Sequence, residues 1–251
     1  MAGLAARVER ERAAGLDVVL IDAHETRSIA PVLGPSVVGG VFSAGDGQAN
    51  ARLVTNAFRE AAVRHGARFV REKGGARFAP ATVLAAGSWT PRLVELPVRP
   101  VALQMLLSDP APPVLAPTIG SEERPLSFKQ LPSGAFFIGG GWAAEFDEQA
   151  HRCRVLRESV EGSWRTATEL IPALGERKLV RSFCGLEGTS FDGAPLIGRV
   201  SENLYAAAGF SGHGFQLAPA VGRAVADDLL GRPVPELAAL SPTRAPAERR
   251  P

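Results

Sequence analysis

Gly209, Phe210, Ser211, Gly212, His213 and Gly214 bring three glycines, a hydroxyl and an imidazole directly ahead of an apolar-striped stretch that runs to Leu230. Glycine is costly to order and is used where backbone takes unusual angles or comes close to something. A helix start presents free N–H groups and a partial positive charge, so a glycine loop leading into a helix suits an electron-rich ligand. Pro219, near the first turn, is compatible with that helix. The G-x-x-G-x-G order is not the dinucleotide fingerprint, and spacing alone leaves two readings, a tight structural turn or a ligand loop. His213 alone reads as a hydrogen-bonded structural residue; between Gly212 and Gly214 it also reads as a ligand contact.

Two further stretches carry small residues where a ligand needs room. Ala85-Ala86-Gly87-Ser88-Trp89 ends a buried-type strand, and small residues at a strand's carboxyl end admit close approach by a ligand or close packing of two elements. Residues 183–198, FCGLEGTSFDGAPLIG, form the third signal. Asp192-Gly193 reads as a turn between strands, which Asp192 itself caps, and Cys184 reads as a buried small hydrophobe. The P-loop, the G-x-S-x-G elbow and the H-E-x-x-H zinc motif are all missing from the sequence, which removes the usual carriers of nucleotide hydrolysis, serine hydrolysis and zinc proteolysis.

The elements that would position these residues are legible from periodicity. Residues 2–14 read as an amphipathic helix stopped by Gly15, and 17–22 as a strand. A helix or turn over ETRSIAPVL ends near Pro31, and 39–50 reads as a glycine-rich loop. Asn50 is a plausible N-cap for a helix over 51–66 with Leu53, Val54, Ala57, Phe58, Ala61 and Ala62 on one face, ended by Gly66. Residues 81–87 are a second strand. From about residue 98, strand-like runs broken by Pro and Gly indicate an antiparallel sheet. A long helical stretch covers 151–171, and strands, the glycine loop and its helix follow. The Pro-, Arg- and Ala-rich tail from Arg232 onward, with Arg249 and Arg250, reads as disordered.

With 251 residues, 45% hydrophobic and 22% charged, the chain has material for a sizeable core. A formal net charge of +2 gives no electrostatic reason to expect nucleic acid or an anionic membrane. Two distant cysteines, Cys153 and Cys184, offer neither a metal-ligand spacing nor a disulfide framework, and no apolar run is long enough for a membrane span. The N-terminus has acidic residues and no apolar signal core, so the cytoplasm is the expected location.

In this order, the stretches AAGSW…PVRP…LQM, KQLPSGAFFIGGGW, FCGLEGTSFDGAPLIG and GFSGHGFQLAPAVGRAVADDLL resemble the FAD-dependent D-amino-acid-oxidase superfamily, over about residues 2–231. The closest look is to the β-type subunits of opine oxidases and hydroxyproline or proline dehydrogenases. The resemblance implies a mixed α/β (α+β) fold: an incomplete FAD-binding α/β domain interleaved with an antiparallel-sheet substrate domain. On that basis 1–97 is partial FAD-binding domain, 98–178 substrate domain, 179–231 a return to the FAD-binding domain and 232–251 the tail. It also implies oxidation of a C–N bond of an amino acid or opine by hydride transfer to flavin, with a partner subunit or electron acceptor.

The residues it assigns to FAD are Ala86, Gly87, Trp89, Gly185, Asp192, Gly209, Ser211, Gly212, His213, Gly214 and Phe215. Gln216 and Gln130 are assigned to the substrate, with Arg99 a further polar candidate and no metal expected. Gln216 stands where sarcosine oxidases carry a carboxylate-binding lysine, so carboxylate binding there is neutral and weaker. No lysine stands beside the GGGW run, which favours electron transfer to a carrier over peroxide production. The family opens with a strand and G-x-G-x-x-G, which is not found in this sequence, and the stretch between Arg68 and Ala81 is short by a hairpin. The expectation is therefore an N-terminally truncated enzyme, with a cofactor-less non-enzymatic fragment or a small-molecule binding domain as alternatives.

Overall fold

The computed structural model describes residues 1–72 and 81–244. It has a mixed α/β fold with several antiparallel sheets, divided into two compact units. Unit 1 comprises residues 1–49 and 103–184; unit 2 comprises 50–102 and 185 onward. This grouping differs from the sequence reading, in which 1–97 belonged together.

Unit 1 opens with α1 (Ala2–Ala13), β1 (Val19–Asp22), α2 (Ala23–Ile29) and β2 (Gly39–Phe42). Asp22 starts α2 through a capping box: its Oδ1 accepts from the N–H groups of His24 and Glu25, and Glu25 Oε2 accepts from Asp22 N–H. The expected loop over 39–50 begins instead as a strand, with β1 and β2 paired antiparallel. A Cβ on Gly39 would lie 2.7 Å from the Ile21 carbonyl oxygen, so this glycine reflects close strand approach and not a loop.

The strands β4 (Val98–Pro110), β5 (Ile119–Gly120), β6 (Ser127–Gln130), β7 (Ala135–Gly139) and β10 (Leu179–Ser190) form a sheet ordered β10-β4-β7-β6-β5. β4 and β10 each continue from one unit into the other along the chain. The short hairpin β8 (Glu145–Asp147) and β9 (Arg152–Arg154) precedes α4 (Arg157–Leu170). The helix expected from residue 151 therefore starts late, because Arg152, Cys153 and Arg154 alternate exposed, half-buried, exposed with the two-residue period of a strand.

Leu106, Phe128, Phe136, Ile138, Ile171 and Leu174 form a buried apolar core together with Ala30 and Leu33 of the N-terminal segment. Burying a large apolar side chain contributes about 1.5–3 kcal/mol. That shared core, the Gly34 N–H bond to the Leu170 carbonyl (2.8 Å) and the Arg7–Glu122 ion pair hold residues 1–49 to the middle of the chain.

Unit 2 contains α3 (Ala51–Arg64), β3 (Thr82–Leu84), a 3-10 turn over Gly87–Arg92, β11 (Leu196–Ser201), β12 (Leu204–Ala208) and α5 (Gly214–Leu229). Asn50 caps α3 as expected, its Oδ1 accepting from Arg52 and Leu53 N–H. The sheet runs β11-β12-β3, and Ile197, Tyr205 and Val225 centre a core that α5 shares. The stretch expected to be disordered is ordered as far as it is described: 3-10 turns cover Pro235–Leu240 and Pro242–Arg244, and Leu237 and Leu240 pack on that core. Residues 73–80, inside the shortened hairpin segment, and 245–251, with Arg249 and Arg250, lie outside the described residues. Among the described residues no helix is long and apolar enough to cross a membrane.

Candidate functional site

Two parallel strands create the site. β12 pairs with β3 in parallel, Leu204 opposite Thr82 and Ala206 opposite Leu84, so both strands leave the sheet at the same carboxyl edge. β3 runs through Ala85 and Ala86 into the 3-10 turn, and β12 runs through residues 209–213 into α5. Two of the three sequence signals are thereby brought side by side.

Backbone geometry explains the residue types. Gly87, Gly209 and Gly212 have φ of +54°, +69° and +86°, a region glycine enters freely. Ser211 adopts φ +51° without being glycine, at a cost of about 1–2 kcal/mol for an L-residue. Its neighbours hold it there. Ser211 Oγ donates to the Gly209 carbonyl (3.2 Å) and accepts from Ser190 N–H (3.1 Å), while Ser211 N–H donates to the Gly188 carbonyl (3.1 Å).

The third signal, the end of β10, laces the first two together. Thr189 bridges Phe210, and Thr189 Oγ1 donates to the Arg99 carbonyl (3.0 Å). A Cβ on Gly188 would lie 2.9 Å from the Gly87 carbonyl oxygen, and one on Gly209 would lie 3.2 Å from Ser190 Cβ. Gly188 and Ser190 were not singled out individually in the sequence. Their role depends on which backbones meet, and the local pattern carries no signal of that.

The outer rim of the loops is open. Cβ atoms on Gly87 and Gly185 would meet nothing within 4 Å. Trp89 and Phe215 are 48% and 47% exposed, and Ala86 is half-buried. No side chain caps the first turn of α5, whose N–H groups lack carbonyl partners four residues back. His213 and Gln216 are exposed at that start; His213 N–H donates to the Phe210 carbonyl (3.0 Å) and closes the loop. Glu187, also unpredicted, lies half-buried with Oε2 3.5 Å from a Cβ built on Gly212.

Asp192 and Gln130 both make structural hydrogen bonds. Asp192 Oδ1 accepts from Ala194 N–H (3.1 Å) and Ser190 Oγ (3.2 Å), and Arg244 grips both carboxylate oxygens (2.9 and 3.0 Å). The Arg244 bonds, followed by the turn amide, hold the carboxyl down at about 2. Arg244 also donates to the carbonyls of Ala194, Pro195 and Leu240, which explains why residues 235–244 are ordered. Gln130 belongs to unit 1, where its Oε1 accepts from Val114 and Leu115 N–H and its Nε2 donates to the carbonyls of Pro112 and Gly134. The amide braces the loop over 111–115 and has no capacity left for a substrate.

Cys184 is half-buried, and burial together with a hydrogen bond to Cys153 pushes its thiol up to about 11. It stays protonated at neutral pH and is no nucleophile.

Known proteins share this architecture. The family described as DAO, FAD dependent oxidoreductase, matches residues 1–228. The bifunctional protein ThiO/ThiG of Synechocystis sp. is 29% identical over 250 residues, covering 89% of this chain and 37% of the relative. The glycine oxidase of Geobacillus kaustophilus is 28% identical over 220 residues, covering 76% and 56%; its solved structure superposes with a TM-score of 0.84 over 97% of this chain and 72% of its own. The L-proline dehydrogenase from P. horikoshii superposes with a TM-score of 0.86 at 25% identity, covering 94% and 71%. The chain thus spans between about a third and just over half the length of these two curated relatives. From the joined carboxyl-edge loops and the match over residues 1–228, the chain belongs to the DAO family of FAD dependent oxidoreductases.

Proposed function

We propose that the carboxyl-edge loops of unit 2 cradle the ring end of an FAD, and that the chain serves the oxidation of a C–N bond in an amino acid or opine. One observation carries this reading: β3 and β12 open side by side into glycine-lined turns, with the uncapped start of α5 behind one of them. Bound flavin supplies the hydride acceptor for that chemistry. The residues present fit it. Glycines at 87 and 185 leave open faces where a flat ring can approach, and exposed Trp89 and Phe215 offer apolar flanks. The first-turn N–H groups of α5 and its dipole favour negative charge at the loop. Ser211, fixed by Ser190 and Gly188, keeps these donors in place.

Amino-acid substrates, a partner subunit or electron carrier and a cytoplasmic location belong to the same proposal. So does weak retention of FAD. A G-x-G-x-x-G turn, the usual pyrophosphate cradle, occurs nowhere in the 251 residues, so the proposed contacts cover one end of the cofactor only. The same observation favours a second reading, a cofactor-less binding protein descended from a flavoenzyme.

Visible absorption of the purified protein, before and after incubation with FAD and desalting, separates the two. Retained or titratable flavin absorbance, bleached anaerobically by an amino acid, supports the enzyme. A protein that stays colourless at millimolar FAD supports the second reading. Affinity of micromolar or tighter would overturn the expected weakness.

A further inference from the structure

The face of the unit 1 sheet that points away from its core carries a row of four half-buried or exposed side chains that the reading above does not use. Lys129 on β6 stands opposite Phe137 on β7, and Phe137 stands opposite Leu107 on β4, so these share one face. Their neighbours Phe128, Phe136 and Ile138 point the other way, into the core. Lys129 Nζ lies 5.9 Å from the Phe137 ring centre, Phe137 and Phe183 are 5.8 Å apart and tilted by 46°, and the Arg181 guanidinium carbon lies 5.5 Å from the Phe183 ring centre. Both rings are half-buried and Arg181 is exposed. Neither Lys129 nor Arg181 makes an ion pair or a side-chain hydrogen bond among the described residues, although ion pairs form elsewhere in the unit.

We propose that this strip is a subsite for a carboxylate with an aromatic or bulky apolar body, the body resting on Phe137 and Phe183 and the carboxylate held by Arg181. Two partly exposed rings offer apolar area and edge or offset stacking to a flat group. The guanidinium fork matches a carboxylate in a way the Lys129 ammonium does not, and stacked on Phe183 it is already oriented. Lys129 at the other end adds positive potential and disfavours cationic ligands. The ligand class is then a carboxylate with a large apolar or aromatic body, and glycine, which has no such body, is a poor ligand for the strip.

The test is calorimetric titration of the flavin-free chain with 3-phenylpropionate, propionate and 3-phenylpropan-1-ol. 3-Phenylpropionate is expected to bind at least about tenfold tighter than either truncated probe, since ring and charge each contribute. Arg181→Gln should bring it to the alcohol's level and Phe183→Ala to that of propionate. Arg181→Gln should also unfold at the wild-type urea concentration, because the side chain is exposed. Equal affinities for the three probes, no saturable binding, or an unaffected Arg181→Gln variant would overturn the subsite. The probes carry no oxidisable amine, so this outcome is separate from the flavin test. A colourless protein that binds 3-phenylpropionate loses the enzyme reading and keeps the subsite; a flavin-loaded protein that ignores the probe does the reverse.

Discussion

Helices α3 and α4 are both 14 residues long and both amphipathic, yet they meet different fates. α4 buries Ser159, Gly162, Ser163 and Ala167, all small, and a Cβ on Gly162 would lie 2.5 Å from the Trp142 ring. α3 buries none of its residues, and Leu53 and Phe58 remain 64% and 56% exposed. An apolar stripe offers a surface; only a neighbour of the right shape accepts it. In α4 the small residues allow close approach, so backbone and Trp142 fill the space. In α3 the larger apolar groups stay in solvent, and the roughly 1.5–3 kcal/mol that each would contribute on burial is not realised.

The sharpest way to break this contrast is to truncate matching side chains. Leu106→Ala in the unit 1 core should cost about 2–5 kcal/mol in urea denaturation, from lost transfer energy and the cavity left behind. Leu53→Ala in α3 should fall within about 0.5 kcal/mol of wild type. A Leu53→Ala loss above about 1 kcal/mol, a twofold excess over that bound, would mean that α3 is covered in solution.

Glycine packing extends the comparison to unit 2. Gly188→Ala should destabilise by about 1–3 kcal/mol, because the Gly87 carbonyl is backbone and cannot swing aside. Gly87→Ala meets open space and should cost only the strain of its positive φ, about 1–2 kcal/mol, while reducing retained flavin absorbance. Equal stability of the Gly188→Ala variant would show that β10 does not lie against the 3-10 turn.

Gln130→Ala should cost about 1–3 kcal/mol by leaving the Val114 and Leu115 N–H groups without their acceptor. Activity of a flavin-loaded enzyme should change only through stability, with KM unmoved; a raised KM would restore Gln130 as a substrate contact.

The smallest effect is electrostatic. Arg244 lowers the Asp192 carboxyl in the folded state to about 2, below the ordinary carboxylate value, so the pair's contribution is fully present above about pH 4 and is lost as pH falls to about 2. The carboxylate is partly exposed, which limits the contribution to about 1 kcal/mol or less. Arg244→Gln should flatten this part of the stability–pH curve, and an unchanged curve would place the acid sensitivity in other carboxylates.

Much of the site was legible beforehand. The glycines at 87, 209 and 212, the Asn50 cap, the α5 helix and the family match all rest on local chemistry: glycine's access to positive φ, side-chain capping and hydrophobic period. The misread segments depended on distant partners. Gly39 looked like a loop residue because its need for space comes from the Ile21 carbonyl on another strand. Arg152–Arg154 looked helical until paired with β8. The segment over 235–244 looked disordered because its order comes from Arg244 reaching Asp192, 52 residues away.

By itself, then, the sequence determined the helices over 2–13, 51–64 and 214–229, the glycine loops and the family, since these follow from conformational preferences that each residue carries wherever it stands. Tertiary structure alone decided that β3 and β12 run parallel, that Gly188 sits on Gly87, that Arg244 reaches Asp192, that Gln130 braces the loop over 111–115, and which of two amphipathic helices is buried. Those outcomes depend on packing and hydrogen-bond satisfaction between residues far apart in the chain, and such pairings leave no local trace.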